Sequence, residues 1–318
     1  MGVELGPPPP EEHRSLTFRI RLEENSSMPP LTFIKPAGGV VFLGHGLKLP
    51  SQFKPPQGNT AQDHYKKAWQ PADKIAIPKL IPPWFMPAES GNKYYQDACD
   101  QIGNDFKKFH DAMIDAVGFA HSAWKLQAKF KDIKVMAVSA IGAPGCLDGP
   151  ELESSIKNAP MVAAMTGNMA KHRDAVAKGV SQCFKKWQDK VMVPGLPWYP
   201  AFAAFPGPMA PPMPNVPTPL IACPSAMMTE ICAPMSMKKA MSDALDSGLK
   251  SKDHDKQYEA LHDAIATVLA AAFTMWLPMQ QVMLVMGKGP IPTFAPPYVP
   301  IGPVVGGDIL SIPGHLAT

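Results

Sequence analysis

The chain has 318 residues, enough to bury a substantial core. Apolar residues make up 46 % and charged residues 18 %, against the roughly 25 % charge usual in soluble domains. The formal net charge of +3, with no dense basic patch, argues against a nucleic-acid surface. Lys107-Lys108, Lys185-Lys186 and Lys238-Lys239 are short pairs suited to solvated helix faces. With 38 Pro and 20 Met, a surface so poor in charge suits a protein covered by partners.

The N-terminal segment, residues 1–87, reads as an extended arm and strap. Met1 to Pro10 is polar and proline-rich, with no apolar run after a basic start, so no signal peptide is expected. Pro7 to Pro10 favours polyproline geometry. Ser15 to Leu22 alternates loosely and predicts a strand, and Gly38 to Gly44 a second, together a small β-hairpin. Thr60 to Trp69 predicts a short helix. Trp84 and Phe85, beside prolines, are expected to pin the strap to a surface.

Residues 88–150 form a first helical unit, with a helix over Asn92–Phe130. Residues 133–142 suit helix or strand equally. The second unit, 151–224, opens with a helix from about Glu151 that Pro160 ends or kinks. A main helix follows over Val162–Val191, in which Gly167 and Gly179 mark close packing. Residues 194–224 then hold eleven prolines and no charge, which forbids helix and central strand alike. Their apolar side chains argue against disorder and predict an ordered strap in an apolar groove. The third unit, 225–318, predicts helices over Ser236–Asp246 and Lys256–Trp276 around a polar turn at Gly248–Asp255. A proline-rich C-terminal strap follows, in which Phe294 to Pro300 echoes Phe205 to Pro212.

One phrase recurs in all three units. Asp111-Ala112, Asp174-Ala175 and Asp263-Ala264 are each followed by a Trp thirteen residues beyond the Asp: Trp124, Trp187 and Trp276. Apolar residues recur at −5 (Phe106, Met169, Tyr258), +2 (Met113, Val176, Ile265) and +6 (Val117, Val180, Leu269), one side of a helix. This predicts a mainly α fold of three degenerate helical repeat units joined by proline-rich straps.

Ala264 to Met286 is an uncharged stretch of 23 residues, long enough to span a bilayer. Gln280, Gln281 and Pro278, and charges at matching positions of the other units, favour a buried core helix instead. The alternative keeps 264–286 as the membrane segment of a pore or export component.

No dinucleotide, P-loop, HExxH or GxSxG signature is present. Asp253, His254 and Asp255 suit a solvated loop better than acid–base work. His110-Asp111 and His262-Asp263 recur, but Arg173 in the second unit fits a cap or salt-bridge role equally well. Cys183 lies on the helix interior, which suits an inert thiol. Five widely spaced cysteines suit free thiols in a reducing compartment. Cys223 and Cys232 could pair or contribute metal ligands, but no CxxC or Cys/His set supports a metal, and no cofactor is expected.

The function expected is non-enzymatic: a structural or adaptor protein of a large assembly, such as a phage virion, tail or contractile-injection particle. Its partners would be other structural proteins, a symmetric ring among them, and its location the virion or a large cytoplasmic particle. The candidate interface side chains are Trp84, Phe85, Trp124, Trp187, Trp198, Tyr199, Phe202, Phe205, Trp276, Phe294 and Tyr298.

Overall fold

The computed structural model describes residues 31–48, 84–85, 93–293 and 301–316. The strand expected at Ser15–Leu22, the helix at Thr60–Trp69, Phe294 and Tyr298 lie outside these residues.

The first element corrects the sequence reading. Gly38 to Gly44 is not a strand but part of helix α1, Leu31–Gly44, which contains Pro36. Tertiary packing overrides local propensity here. A Cβ at Gly38 would overlap the His110 ring and approach Val268, so the glycine lets α1 lie close against its neighbours. Phe42 is buried, and its ring sits 5.3 Å from Phe85 and 4.7 Å from Trp84.

Helix α2, Lys93–Gln127, leads into short strands β1 (Lys129–Phe130), β2 (Ile133–Met136), β3 (Ser139–Gly142) and β4 (Leu147–Asp148). The ambiguous stretch 133–142 is thus a hairpin, turning at Ala137 with φ 53°. Helix α3, Leu152–Lys157, precedes α4, Gly167–Gln188, which starts at a glycine with φ 60°. The proline-rich stretch supplies β5 (Val193–Pro197), β6 (Phe205–Pro206), β7 (Met209–Met213) and β8 (Thr218–Pro219). Helices α5 (Thr229–Cys232), α6 (Pro234–Ala244), α7 (Ser247–Lys250) and α8 (Gln257–Met279) follow. Strands β9 (Gln281–Val282), β10 (Gly287–Pro290), β11 (Ile301–Gly302) and β12 (Val305–Ile309) complete the described chain.

Six strands form an antiparallel sheet in the order β5-β3-β2-β12-β10-β7. Both of its edges, β5 and β7, come from the proline-rich stretch and carry Pro194, Pro197, Pro211 and Pro212. Proline cannot donate to a ladder, so it is tolerated at an edge and blocks further pairing there. The two proline-rich stretches also meet directly where β6 pairs with β11, and β8 pairs with β9 just after α8.

The mainly α repeat architecture is therefore corrected. Among the described residues, helix is about 52 % and strand 19 %, with a six-stranded antiparallel sheet that the repeat scheme lacks. Equal spacing of the phrase has a packing cause. Phe106, Met169 and Tyr258 line one cleft. Trp124, Trp187 and Trp276 meet in one cluster, their ring centroids 5.8–6.2 Å apart. Helices α2, α4 and α8 thus run in the same direction and in register. Side chains that must reach the same depth from three parallel helices fall at the same spacing. The +2, +6 and +13 positions are buried in every case.

Polar anchors tie the ends together. Trp124 Nε1 donates to Gln188 Oε1 at 2.8 Å, and Trp276 Nε1 to Gln280 Oε1 at 3.1 Å. Gln280 Nε2 donates to the carbonyl of Leu316 at 3.1 Å, holding the C-terminal segment against α8. Buried Asn215 clamps the 194–224 stretch to the segment after α8: Oδ1 accepts from Val285 N at 3.0 Å, and Nδ2 donates to the Val282 carbonyl at 3.0 Å. Asn215→Leu leaves buried backbone groups unpaired. A loss of about 2–4 kcal/mol is expected, read from the midpoint of a urea titration.

Candidate binding site

The three parallel helices leave a cleft at the end opposite the tryptophans. Its volume is about 490 Å³, and its apolar walls are Phe106, Phe109, Met169, Leu245, Leu249, Tyr258 and Leu261. Asp105, Asn168, Lys252, Asp253, His254, Asp255 and Gln257 form its polar lining, with His172 in the wall.

Local sequence explains how the rim is held. Lys256 takes φ 53°, which turns the chain sharply into α8. Asp253 Oδ2 accepts from Tyr258 N at 2.9 Å, satisfying an otherwise unpaired donor of the first turn. Asp246 Oδ1 accepts from Gly248 N at 2.9 Å and Leu249 N at 3.2 Å, capping α7 and setting Leu249 against the cleft. The Lys171 ammonium beside Asp246 holds its carboxyl below the usual range, helped by those backbone donors.

The histidines behind the cleft are neutral. Burial pushes the His172 imidazole down, with Asp253 acting in the opposite direction. His262 is pushed down to about 3 by burial, then by His172, Lys250 and Lys238. Their rings lie 6.5 Å apart. Ser242 Oγ lies 3.0 Å from His262 Nδ1, while His262 Nε2 is buried without a hydrogen bond. The Ser242–His262 pair has the atoms of a nucleophile and its base, but a histidine held so low is too weak a base to activate a hydroxyl. Ser242 is not a lining residue of the cleft.

Four of the five thiols are buried. Burial, as the first cause, pushes Cys146 up to about 11 and both Cys183 and Cys223 up to about 12. Cys99 is buried, all five cysteines are free, and Cys232 alone is half-buried. Titrating the native protein with an aromatic disulfide should label Cys232 rapidly and the other four only on unfolding. Among the described residues, no group of three or more His, Cys, Asp or Glu is placed to hold a metal ion.

The chain matches no family model, no curated protein and no solved structure.

The candidate interface aromatics are mostly taken up by the chain itself. Phe85, Trp124, Trp187, Trp198, Phe202 and Trp276 are buried in the core. Trp84 and Phe205 are half-buried and packed against it, and Tyr199 is exposed. Phe85 lies 5.0 Å from Phe106, and Trp84 5.3 Å from His110; the residues on either side of them lie outside the described ones.

Of the acid–base pairs noted in the sequence, His110 is buried with Nδ1 2.8 Å from Asp111 Oδ1. Arg173 Nε donates to Asp174 at 2.9 Å, and Asp263 receives His45 and Lys238, both at 3.0 Å. The first two pairs join neighbours on one helix; Asp263 alone of the three ties elements together, α8 to Lys238 of α6 and to His45 just after α1. The Asp253–Asp255 turn lies on the cleft rim rather than standing apart. Sequence reasoning placed Phe106, Met169 and Tyr258 on one face of each helix but missed the cleft, because nothing local says the three helices are parallel.

Proposed function

We propose that the chain is a non-enzymatic structural or adaptor protein of a large multi-subunit assembly, such as a phage virion, tail or contractile-injection particle. The observation that carries this reading is the outward face of α1. Phe33 is 84 % exposed and Val40 71 %, with exposed Pro36 and Ala37 between them. Positions i, i+3, i+4 and i+7 form one helix face, so this is a continuous apolar ridge. It is held firmly: Lys35 pairs with Asp115 at 2.5 Å, and His45 lies 3.0 Å from Asp263. An ordered apolar ridge facing water favours a protein neighbour. The low overall charge and the buried thiols and imidazoles of the core point the same way.

A membrane role for 264–286 has less support. Helix α8 is long and apolar enough to cross a bilayer, but its most apolar window is 72 % buried within the protein. Residues 281–282 and 287–290 then enter β-pairings.

The test is assembly with the fold preserved. Deleting 194–224 would remove both sheet edges, so surface substitution is the cleaner probe. Phe33→Glu with Val40→Glu should keep the wild-type thermal midpoint within a few degrees, since both side chains are exposed. The double variant should fail to enter the particle isolated from the native source. Wild-type chain that purifies from that source as a lone monomer, by chromatography with mass measurement, would sink the reading.

A further inference from the structure

We propose that the cleft between α2, α4 and α8 binds a small organic cation, an ammonium carried on an apolar or aromatic body. Its volume of about 490 Å³ falls in the range of small-molecule sites, roughly 300–1,000 Å³. The wall is mainly apolar and aromatic, with Phe106, Phe109, Tyr258 and Leu261 among its lining residues. An apolar body gains by leaving water there.

The rim selects the head group. Three carboxylates, Asp105, Asp253 and Asp255, line the cleft with one ammonium, Lys252; the exposed Lys108 ammonium, 3.5 Å from Asp105, offsets part of that charge. His172 is kept neutral by burial, so it adds no positive charge to the wall. Negative rim charge in an aromatic-lined cleft favours a cation, by direct attraction and, where a ring face is reached, by its quadrupole. An anionic ligand meets the same carboxylates as repulsion, and a neutral one gains nothing from them. The site is separate from the α1 ridge, so the inference does not depend on the assembly reading.

The experiment uses the full chain and three matched probes: phenethylammonium, its neutral alcohol analogue phenethyl alcohol, and the anion phenylpropionate. Binding is followed by titration calorimetry and ligand-observed NMR at neutral pH and low salt. The ammonium should bind about tenfold more tightly than the neutral probe, and the anion more weakly than either. Asp105→Asn with Asp255→Asn should erase the ammonium's advantage while leaving the neutral probe's affinity unchanged. Both residues are exposed, and neither caps a helix in the described hydrogen bonds. Met169→Trp, at an exposed position on the wall, should fill the cleft and remove binding of all three. Equal affinity for the three probes, no binding of the ammonium, or ammonium binding that survives Met169→Trp each overturns the proposal.

Discussion

The protein should unfold cooperatively in mild acid, well before its carboxylates are fully protonated. Burial pushes His121 and His262 down to about 3 and His315 down to about 4. All three are fully buried. His121 sits between Trp124, Phe184, Phe273 and Trp276, its ring centroid 4.4 Å from that of Trp276, and neither of its nitrogens has a hydrogen bond. In the unfolded chain each imidazole returns to about 6.5. The unfolded state therefore binds more protons at any pH between these limits. Stability is fully present above about pH 6.5 and falls as pH drops toward the folded values. Each histidine costs about 1.4 kcal/mol per pH unit in that window. At pH 4.5 the three together remove about 8 kcal/mol, as an upper bound, comparable with the whole stability of many domains. Near-ultraviolet dichroism against pH should show the transition between about pH 6 and pH 4. His121→Leu should move its midpoint to lower pH. At pH 7 the same variant should be no less stable, since it removes two unpaired buried nitrogens. A urea midpoint unchanged between pH 7 and pH 5 would show that these imidazoles are not buried as the fold places them.

That sensitivity was not legible in the sequence. His121 lies on α2 with no local mark distinguishing it from exposed His254, and only the meeting of three helices buries it. What was legible is what local chemistry decides. The +2, +6 and +13 positions are core in all three long helices because period 3.6 and residue size suffice to pick a face. Proline density kept 194–224 out of α-helices and central strands, though short 3-10 turns form at Pro200–Phe202 and Leu220–Ala222. The sheet was missed because its partners lie far apart in the chain: β2 pairs with β12, and β10 with β7. Strands of two to five residues, glycine-rich in β10 and β12, carry little alternation to read. α1 was misread because two glycines at 38–39 argue against helix by propensity. Their cost is offset by an approach to His110 that no other residue permits. The cleft was hidden for the same reason as the sheet, since the relative direction of distant helices has no local signature.

Gly179→Ala should be the most damaging single-methyl change in the helical layer. A Cβ at Gly179 would stand 2.5 Å from the backbone nitrogen of Met241 and 2.7 Å from its Cα. Intrinsic propensity argues the other way, because alanine is favoured over glycine in a helix interior by about 1 kcal/mol. A gap below 3 Å to backbone cannot be relieved by rotating a side chain, so α4 and α6 must separate. Overpacking of this kind costs about 1–3 kcal/mol, occasionally more, even where neighbours adjust. Here the adjustment moves a whole helix whose Met237 and Met241 are buried, so the upper part of that range is expected, a fall of several degrees in thermal midpoint. A comparison locates the cause. A Cβ at Gly149 would overlap the Trp124 side chain near Nε1. Gly149→Ala should thus also destabilise, but Trp124→Phe should partly rescue it by opening the space. No side-chain truncation at Met241 should rescue Gly179→Ala, because the obstruction is main chain. A Gly179→Ala protein as stable as wild type in urea would mean that α4 and α6 do not cross at this glycine.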